Sequence, residues 1–204
     1  MIGRKGQKSP HRIRCGLFAA GDSMYYGNIK GFSIENGVGV RVSLFVSGCR
    51  NHCKNCFSPQ TWNFTYGEPF TEETEKELLE ELAPDHIHGL TILGGEPFEP
   101  ENQKDILPLI LKVRRELPGK TIWMYTGFTY EELTGESRGN CGELTRQIFE
   151  NIDVLVDGRF VEEKKNLRIR FRGSENQRII DMKETLRNGE VTLMEELMKE
   201  RPLS

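Results

Sequence analysis

No stretch of this 204-residue chain stays apolar for the ~18 to 20 residues that a membrane helix needs, and no apolar h-region follows the basic residues near its start. Neither a membrane partner nor export is therefore expected, and the cytoplasm is the expected compartment. The net charge is only −3, with 29% charged and 36% hydrophobic residues, which argues against a nucleic-acid-coating or disordered chain. There is no internal repeat, no low-complexity tract and no GxxxxGK[ST] loop for nucleotide phosphates. Cysteines are few and odd in number, five in all. A chain of this length buries about 70% of its unfolded surface and needs no disulfide framework to fold. Reduced thiols in a cytoplasmic protein point instead to metal binding or catalysis.

Residues 1–23 read as a flexible basic extension, in which Arg4, Lys5, Lys8, Arg12 and Arg14 precede the first acid, Asp22. From Val40 the apolar residues Val40, Val42, Leu44 and Val46 alternate as in a strand. "PFTEETEKELLEELAP" predicts a helix with Thr71 as N-cap, acids in its first turn, apolar Leu78, Leu79 and Leu82, and a stop at Pro84. "GLTILGG" (89–95), "TIWMYTG" (121–127) and "VLVDG" (154–158) read as further strands. Between them, Ile106, Ile110, Val113 and Leu117 recur at helical spacing, as does "GELTRQIFENI" (142–152). Pro108 either kinks its helix or marks its first turn.

Strands interleaved with helices imply βαβ crossovers, and so an α/β fold with a mostly parallel sheet. Ligands of such sheets sit beyond the C-terminal strand ends. That rule selects residues 49–57, 94–97, 126–127 and 157–159. "RIRFRGSENQRIIDM" reads as an edge strand or ordered loop, and residues 183–200 as a last amphipathic helix. One domain is expected over 24–182, with 183–204 as a helical tail.

Cys49, Cys53 and Cys56 share one CxxxCxxC loop directly after the first predicted strand. A structural zinc site takes four ligands, commonly as two separated pairs, and no second pair exists. His52 lies too close to its neighbours in sequence to join them in a tetrahedron without strain. Cys15 and Cys141 are isolated and read as free thiols. Three thiolates suit a four-iron cluster with one iron left open to another ligand, whereas ferredoxin-type clusters use four cysteines. A zinc-bound interaction module is the alternative from a different class.

CxxxCxxC is the signature of the radical S-adenosylmethionine enzymes, which this segment resembles at Cys49, Cys53 and Cys56. "LGGEP" (93–97) resembles the segment by which those enzymes hold the methionyl amino group. "GVRVSLFVSGCRNHCKNCFSPQTWNFTYGEPFT", "LTILGGEPF", "IWMYTGFTYEEL", "IDVLVDGRF" and "FRGSENQRIID" together resemble the family of anaerobic ribonucleoside-triphosphate reductase activating proteins, across residues 24–182.

The resemblance implies a partial (βα) barrel of the radical S-adenosylmethionine type and a glycyl-radical activase. A [4Fe-4S] cluster on Cys49, Cys53 and Cys56 would pass one electron to bound S-adenosylmethionine. The resulting 5′-deoxyadenosyl radical would take a hydrogen from a glycine of the reductase's large subunit. A flavodoxin or ferredoxin is the implied electron donor. Asn55, Cys56 and Phe57 are implied to lie along the adenine, Gly94, Gly95 and Glu96 at the methionine end, and Thr126 at ribose or carboxylate. Asp157 and Arg159 fall where related activases place acidic and basic site residues. Tyr125 departs from the aspartate that formate-lyase activases carry before the threonine, which puts a cation-assisted carboxylate site in doubt. Glu175 interrupts the family's RGSSNQ. Arg168, Arg170, Arg172 and Arg178 are candidates for docking the partner. The nearest alternative is activation of another glycyl-radical enzyme, of the formate-lyase type.

Overall fold

The structure, a computed structural model, describes residues 23–200. The predicted basic extension, with Cys15, lies outside the described residues save for Ser23. Seven strands form one open sheet: β1 (Tyr25–Ser33), β2 (Arg41–Val46), β3 (Glu68–Pro69), β4 (Gly89–Gly94), β5 (Thr121–Tyr125), β6 (Val154–Asp157) and β7 (Arg178–Asp181). Their order is β3-β1-β2-β4-β5-β6-β7. The central four, β2, β4, β5 and β6, are parallel, and β1, β3 and β7 add antiparallel edges. Parallel neighbours need long crossovers. These contain α1 (Glu72–Leu82), α2 (Pro100–Glu116), and the pair α3 (Tyr130–Thr134) and α4 (Glu143–Asn151). Two short helices, α5 (Met182–Asn188) and α6 (Glu195–Met198), follow β7.

The period-2 alternation sorts each strand's side chains onto two faces. Val42, Leu44, Leu90, Ile92, Ile122, Met124, Leu155 and Ile180 form the face that packs against Leu78 and Leu82 of α1, Ile106, Ile110 and Val113 of α2, and Ile148 and Phe149 of α4. Each such fully buried side chain contributes about 1.5–3 kcal/mol. The other face carries Trp123, Val154, Val156 and Ile179, covered by Phe171 and by Met194, Leu197 and Met198 around α6. With the long helices on one side only, the second face and its strand ends are left to form a site.

Arg41, at the start of β2, lies fully buried on that second face. Its guanidinium makes five hydrogen bonds, to Thr91 Oγ1, Val38 O, Leu90 O, and both Oγ1 and O of Thr121. Burial lowers its pKa to about 10. The five acceptors match its five N–H groups and tie the N-terminal ends of β2, β4 and β5 together.

The predicted helix over 71–84 is present as α1, and Thr71 Oγ1 accepts from Thr74 N at 3.2 Å. Two readings need correction. Pro108 does not mark a first turn, since α2 begins at Pro100 and Pro108 sits inside it. The single helix expected over 183–200 is two helices: α5 ends at Gly189, whose φ of 76° is left-handed, and Leu193 then bridges back to Ile180. The basic segment after Arg168, read as an edge strand or ordered loop, ends in the edge strand Arg178–Asp181 after a stretch of loop. β1 was not foreseen, because its run "YYGNIKGFS" lacks clean alternation and its pairing with β2 is interrupted by register shifts. Among the described residues, no helix is long and apolar enough to cross a membrane.

Candidate functional site

A cavity of about 570 Å³ opens beyond the C-terminal ends of β2, β4, β5 and β6. Cys49, Cys53, Cys56, Phe57, Gly94, Gly95 and Thr126 all line it. The sheet thus gathers seven of the predicted site residues from three separate strand ends. Asn55, Glu96 and Asp157 do not line it. A wider concavity of about 850 Å³ lies at the opposite strand ends, around His88, Lys120, Asp153 and Lys183. There Asp153 is paired with Arg114 and Lys183, and Lys120 donates to the carbonyls of Pro84 and Ile87.

The thiol loop is fixed at both ends by backbone. Gly48 N donates to Thr61 O at 2.8 Å and Cys49 N to Trp62 O at 3.3 Å, while Cys56 N closes a turn on Cys53 O at 3.1 Å. His52 and Asn55 both have positive φ, 47° and 56°, so the loop is tightly wound where L-residues rarely go. The His52 ring stacks on Trp62 with centroids 4.5 Å apart.

The middle of the loop is held by two fully buried carboxylates that follow β4, Glu96 and Glu99. Glu99 accepts from Arg50 N at 2.8 Å, from Arg50 Nη1 at 2.7 Å and from Arg138 Nε at 3.2 Å. Asn51 donates from Nδ2 to Glu96 Oε2 at 2.8 Å and accepts from Arg138 Nη2 at 2.6 Å. Glu96 further accepts from Phe98 N at 3.0 Å, Thr126 Oγ1 at 2.8 Å and Gly127 N at 2.7 Å. One carboxylate therefore joins the thiol loop, the turn after β4 and the end of β5.

Burial pushes the Glu96 carboxyl up to about 7 from 4.5, against hydrogen bonds from Phe98 N, Thr126 Oγ1 and Gly127 N that favour its charge. The folded chain then holds the extra proton between those two values. Stability should fall as pH rises through this window, by about 3 kcal/mol in total, with no change from this group below it. Urea unfolding of wild type and Glu96→Gln at pH 5 and pH 8 checks this, and the glutamine variant should lose this part of the pH slope.

The paired glycines have a reason beyond ligand approach. A Cβ on Gly94, at φ 109°, would come within 2.8 Å of the Phe45 and Val46 backbone, and one on Gly95 within 2.6 Å of Gly48 O. They let β4 lie against the thiol loop as well as opening the cavity wall.

Asp157 is buried behind that wall and committed to Arg178 and to Tyr130 N. Arg178 also pairs with Glu131, Arg168 with Glu200, and Arg159 with Glu132, so these arginines are engaged within the fold. Cys141 is disulfide-bonded, which corrects the free-thiol reading. Isolation in sequence says nothing about distance in space, and α2 brings Gln103 Nε2 to within 3.4 Å of the Cys141 sulfur. The residues that sequence reading missed are Asn51, Glu99 and Arg138. Asn51 and Glu99 lie inside or beside the motifs, but nothing in "GESRGNCGE" marks Arg138.

The thiols suit a cluster better than a single ion. Burial pushes Cys49 up to about 12 and raises Cys53, so iron must displace protons from both on binding. Among the described residues no three His, Cys, Asp or Glu side chains gather as a single ion would require. Three cysteine thiols at one cavity wall are the donor type that an iron–sulfur cluster takes. The cavity also has unpaired polar atoms: Tyr125 Oη, Trp62 Nε1 and Arg172 Nε are buried without a hydrogen-bond partner, and all three residues line it. Those orphans fit a polar ligand beside the cluster.

A family model described as a 4Fe-4S single cluster domain matches residues 35–180. The anaerobic ribonucleoside-triphosphate reductase-activating protein of Salmonella typhimurium is 40% identical over 156 residues, 76% of this chain and 96% of that one. Its namesake in Pasteurella multocida is 41% identical over 146 residues, 71% and 89% of the two chains. That of Enterobacteria phage T4 is 37% identical over 158 residues, 76% and 93%. The chain belongs to this family of activating proteins. The family model supports an iron–sulfur cluster within residues 35–180, and the zinc module is not favoured. Family members span roughly the whole α/β unit, so the thiol loop and its carboxylate clamp lie within the matched region.

Proposed function

We propose that this chain activates the anaerobic ribonucleoside-triphosphate reductase as a radical S-adenosylmethionine enzyme, with residues 24–182 as a partial (βα) barrel and catalytic domain. The observation that carries the reading is the meeting of Cys49, Cys53 and Cys56 with Gly94, Gly95 and Thr126 in one cavity. When bound, a reduced [4Fe-4S] cluster and S-adenosylmethionine supply a 5′-deoxyadenosyl radical that takes hydrogen from a glycine of the reductase's large subunit.

The chain's own residues hold and shield. Cys49, Cys53 and Cys56 bind iron, and the Glu96–Asn51–Arg138–Glu99 clamp keeps their loop in one conformation. Gly94, Gly95, Glu96 and Thr126 take the methionine and ribose end, Glu96 acting through the groups it ties together. Asn55, Cys56 and Phe57 take the adenine, and Asp157 supports the far wall through Arg178. Phe57 and Leu167, exposed by 69% and 81%, rim the mouth where a protein loop would enter. A flavodoxin or ferredoxin supplies the electron in the cytoplasm.

The test is anaerobic reconstitution with iron and sulfide, reduction, and addition of S-adenosylmethionine. Brown protein that yields 5′-deoxyadenosine and methionine in equal amounts is the expected result. Colourless protein that holds stoichiometric zinc and releases no nucleoside would overturn the reading.

A further inference from the structure

Four of the chain's five cysteines are among the described residues, and they differ in state. Cys49, Cys53 and Cys56 are free thiols, while Cys141 is disulfide-bonded. Within one chain that leaves a single partner, Cys15, which lies outside the described residues. Where the chain enters the fold agrees with this pairing. Met24 N donates to Asp105 Oδ2 at 2.7 Å, and two residues away on α2 Gln103 Nε2 donates to the Cys141 sulfur at 3.4 Å. Residues 16–23 join Cys15 to Met24, and a segment of that length reaches roughly 26–29 Å, ample for neighbouring turns of one helix.

Cys141 is only half-buried, so a small thiol or disulfide can reach it. It directly precedes Gly142, the N-cap of α4, and its own N–H donates to Thr145 Oγ1 at 2.8 Å. A helix N-terminus and a donor to sulfur both favour the thiolate, the form that attacks and leaves in disulfide exchange. Disulfides of cytoplasmic proteins are as a rule transient or redox-sensing. The bond encloses residues 15–141, and with them the thiol loop, Glu96, Glu99 and Arg138. In the chain-entropy account, a cross-link over so long a loop stabilises by restricting the unfolded chain. Bound iron also contributes to folding, and oxidants that consume thiolates remove that contribution. The same oxidants close a disulfide.

We infer that Cys15 and Cys141 form a reversible redox latch, open under the reducing conditions in which the thiol loop binds iron. The latch closes when a low-molecular-weight disulfide is present, and the apoprotein then keeps its fold. In closing, one cysteine thiolate attacks the small disulfide, forming a mixed disulfide and releasing one small thiolate. The other cysteine thiolate attacks the bonded protein sulfur and releases the second. One S–S bond forms in the protein, one breaks in the oxidant, and the two cysteine protons end on the two small thiols. A dithiol reverses the step. The latch requires iron at the thiol loop but not the radical chemistry proposed above.

The test equilibrates full-length apoprotein in glutathione buffers from reduced to oxidised, blocks free thiols by alkylation and maps linked peptides by mass spectrometry. A peptide pair joined through Cys15 and Cys141 should appear as the buffer becomes oxidising and vanish on return to reductant. In urea, the closed form should have a folded-to-unfolded ratio roughly 30- to 1,000-fold above that of the open form, the range for cross-links over long loops. Cys15→Ser alters no described residue and should unfold like the open form in both buffers. Absence of the Cys15–Cys141 pair in oxidising buffer overturns the inference. So does Cys141 joined instead to Cys49, Cys53, Cys56 or a second copy of the chain. A pair that survives the reductant in which iron is taken up would be a fixed staple, and closure without a gain in stability would have no use as a latch; either result also overturns it. Iron uptake without nucleoside release from S-adenosylmethionine would overturn the proposed function and leave the latch standing.

Discussion

Cys53→Ala is expected to leave a folded protein that yields no detectable 5′-deoxyadenosine after reconstitution. Cys53 is half-buried, and its thiol is hydrogen-bonded to backbone at Phe160, a single contact of modest weight. The unfolding free energy of the apoprotein should change by less than about 1 kcal/mol. With two thiolates left, the cluster proposed for this loop would lose one of its protein bonds, and its visible absorbance should be absent or decay on exposure to a chelator. Cys141→Ala should behave in the opposite way. It removes a cross-link, which typically contributes about 2–4 kcal/mol when assayed without reductant, and leaves the cluster and cleavage intact. Urea midpoints, iron content and nucleoside yield on the two variants together check this. Loss of cleavage in Cys141→Ala, or cleavage retained in Cys53→Ala, would remove the thiol loop from its assigned role.

Glu96→Ala should be among the most destabilising single changes in the domain, at about 4 kcal/mol or more. The truncation strands Phe98 N and Thr126 Oγ1, which are buried, and Asn51 Nδ2 and Gly127 N, which are part-buried. Each stranded donor costs about 1–3 kcal/mol, less whatever the Thr126 hydroxyl recovers by turning. Asn51→Ala removes one of those four bonds and leaves Arg138 its ion pair with Glu99, so about 1–2 kcal/mol is expected. Denaturant unfolding with an unchanged m-value measures both. Equal, small losses would mean that the carboxylate does not join the three strand ends. In reconstituted protein, both variants should release iron to a chelator faster than wild type, Glu96→Ala more so.

Much of this was readable from residue order. The alternation of Val42, Leu44 and Val46, the cap at Thr71 and the run "GLTILGG" each obey local rules, and the parallel sheet follows from their succession. The thiol loop and "LGGEP" announced themselves because both chemistries need particular residues at fixed spacing. What the sequence hid is what depends on distance in space. Gly94 and Gly95 read as room for a ligand, while the fold also needs them to bring β4 against the thiol loop. Glu96 reads as a ligand contact, yet its four hydrogen bonds all go to the protein. Arg138 joins the clamp from a polar segment some 85 residues beyond the cysteines, with no periodic or motif signal. Arg172 and Arg178 looked alike as basic residues of one segment. Their partners separate them, because Arg178 is ion-paired with Asp157 and Glu131 while Arg172 donates to the carbonyls of Gln177 and Met198.

The central claim is that this cavity makes a radical delivered to another protein's backbone. The most direct measurement mixes the reconstituted, reduced chain with the large subunit of the anaerobic ribonucleoside-triphosphate reductase and S-adenosylmethionine, and records the electron paramagnetic resonance spectrum. A glycyl doublet on the reductase subunit, dependent on S-adenosylmethionine and absent with Cys53→Ala, is the predicted result. Formation of 5′-deoxyadenosine without that doublet, or a doublet on a formate-lyase-type enzyme but not on the reductase, would contradict it.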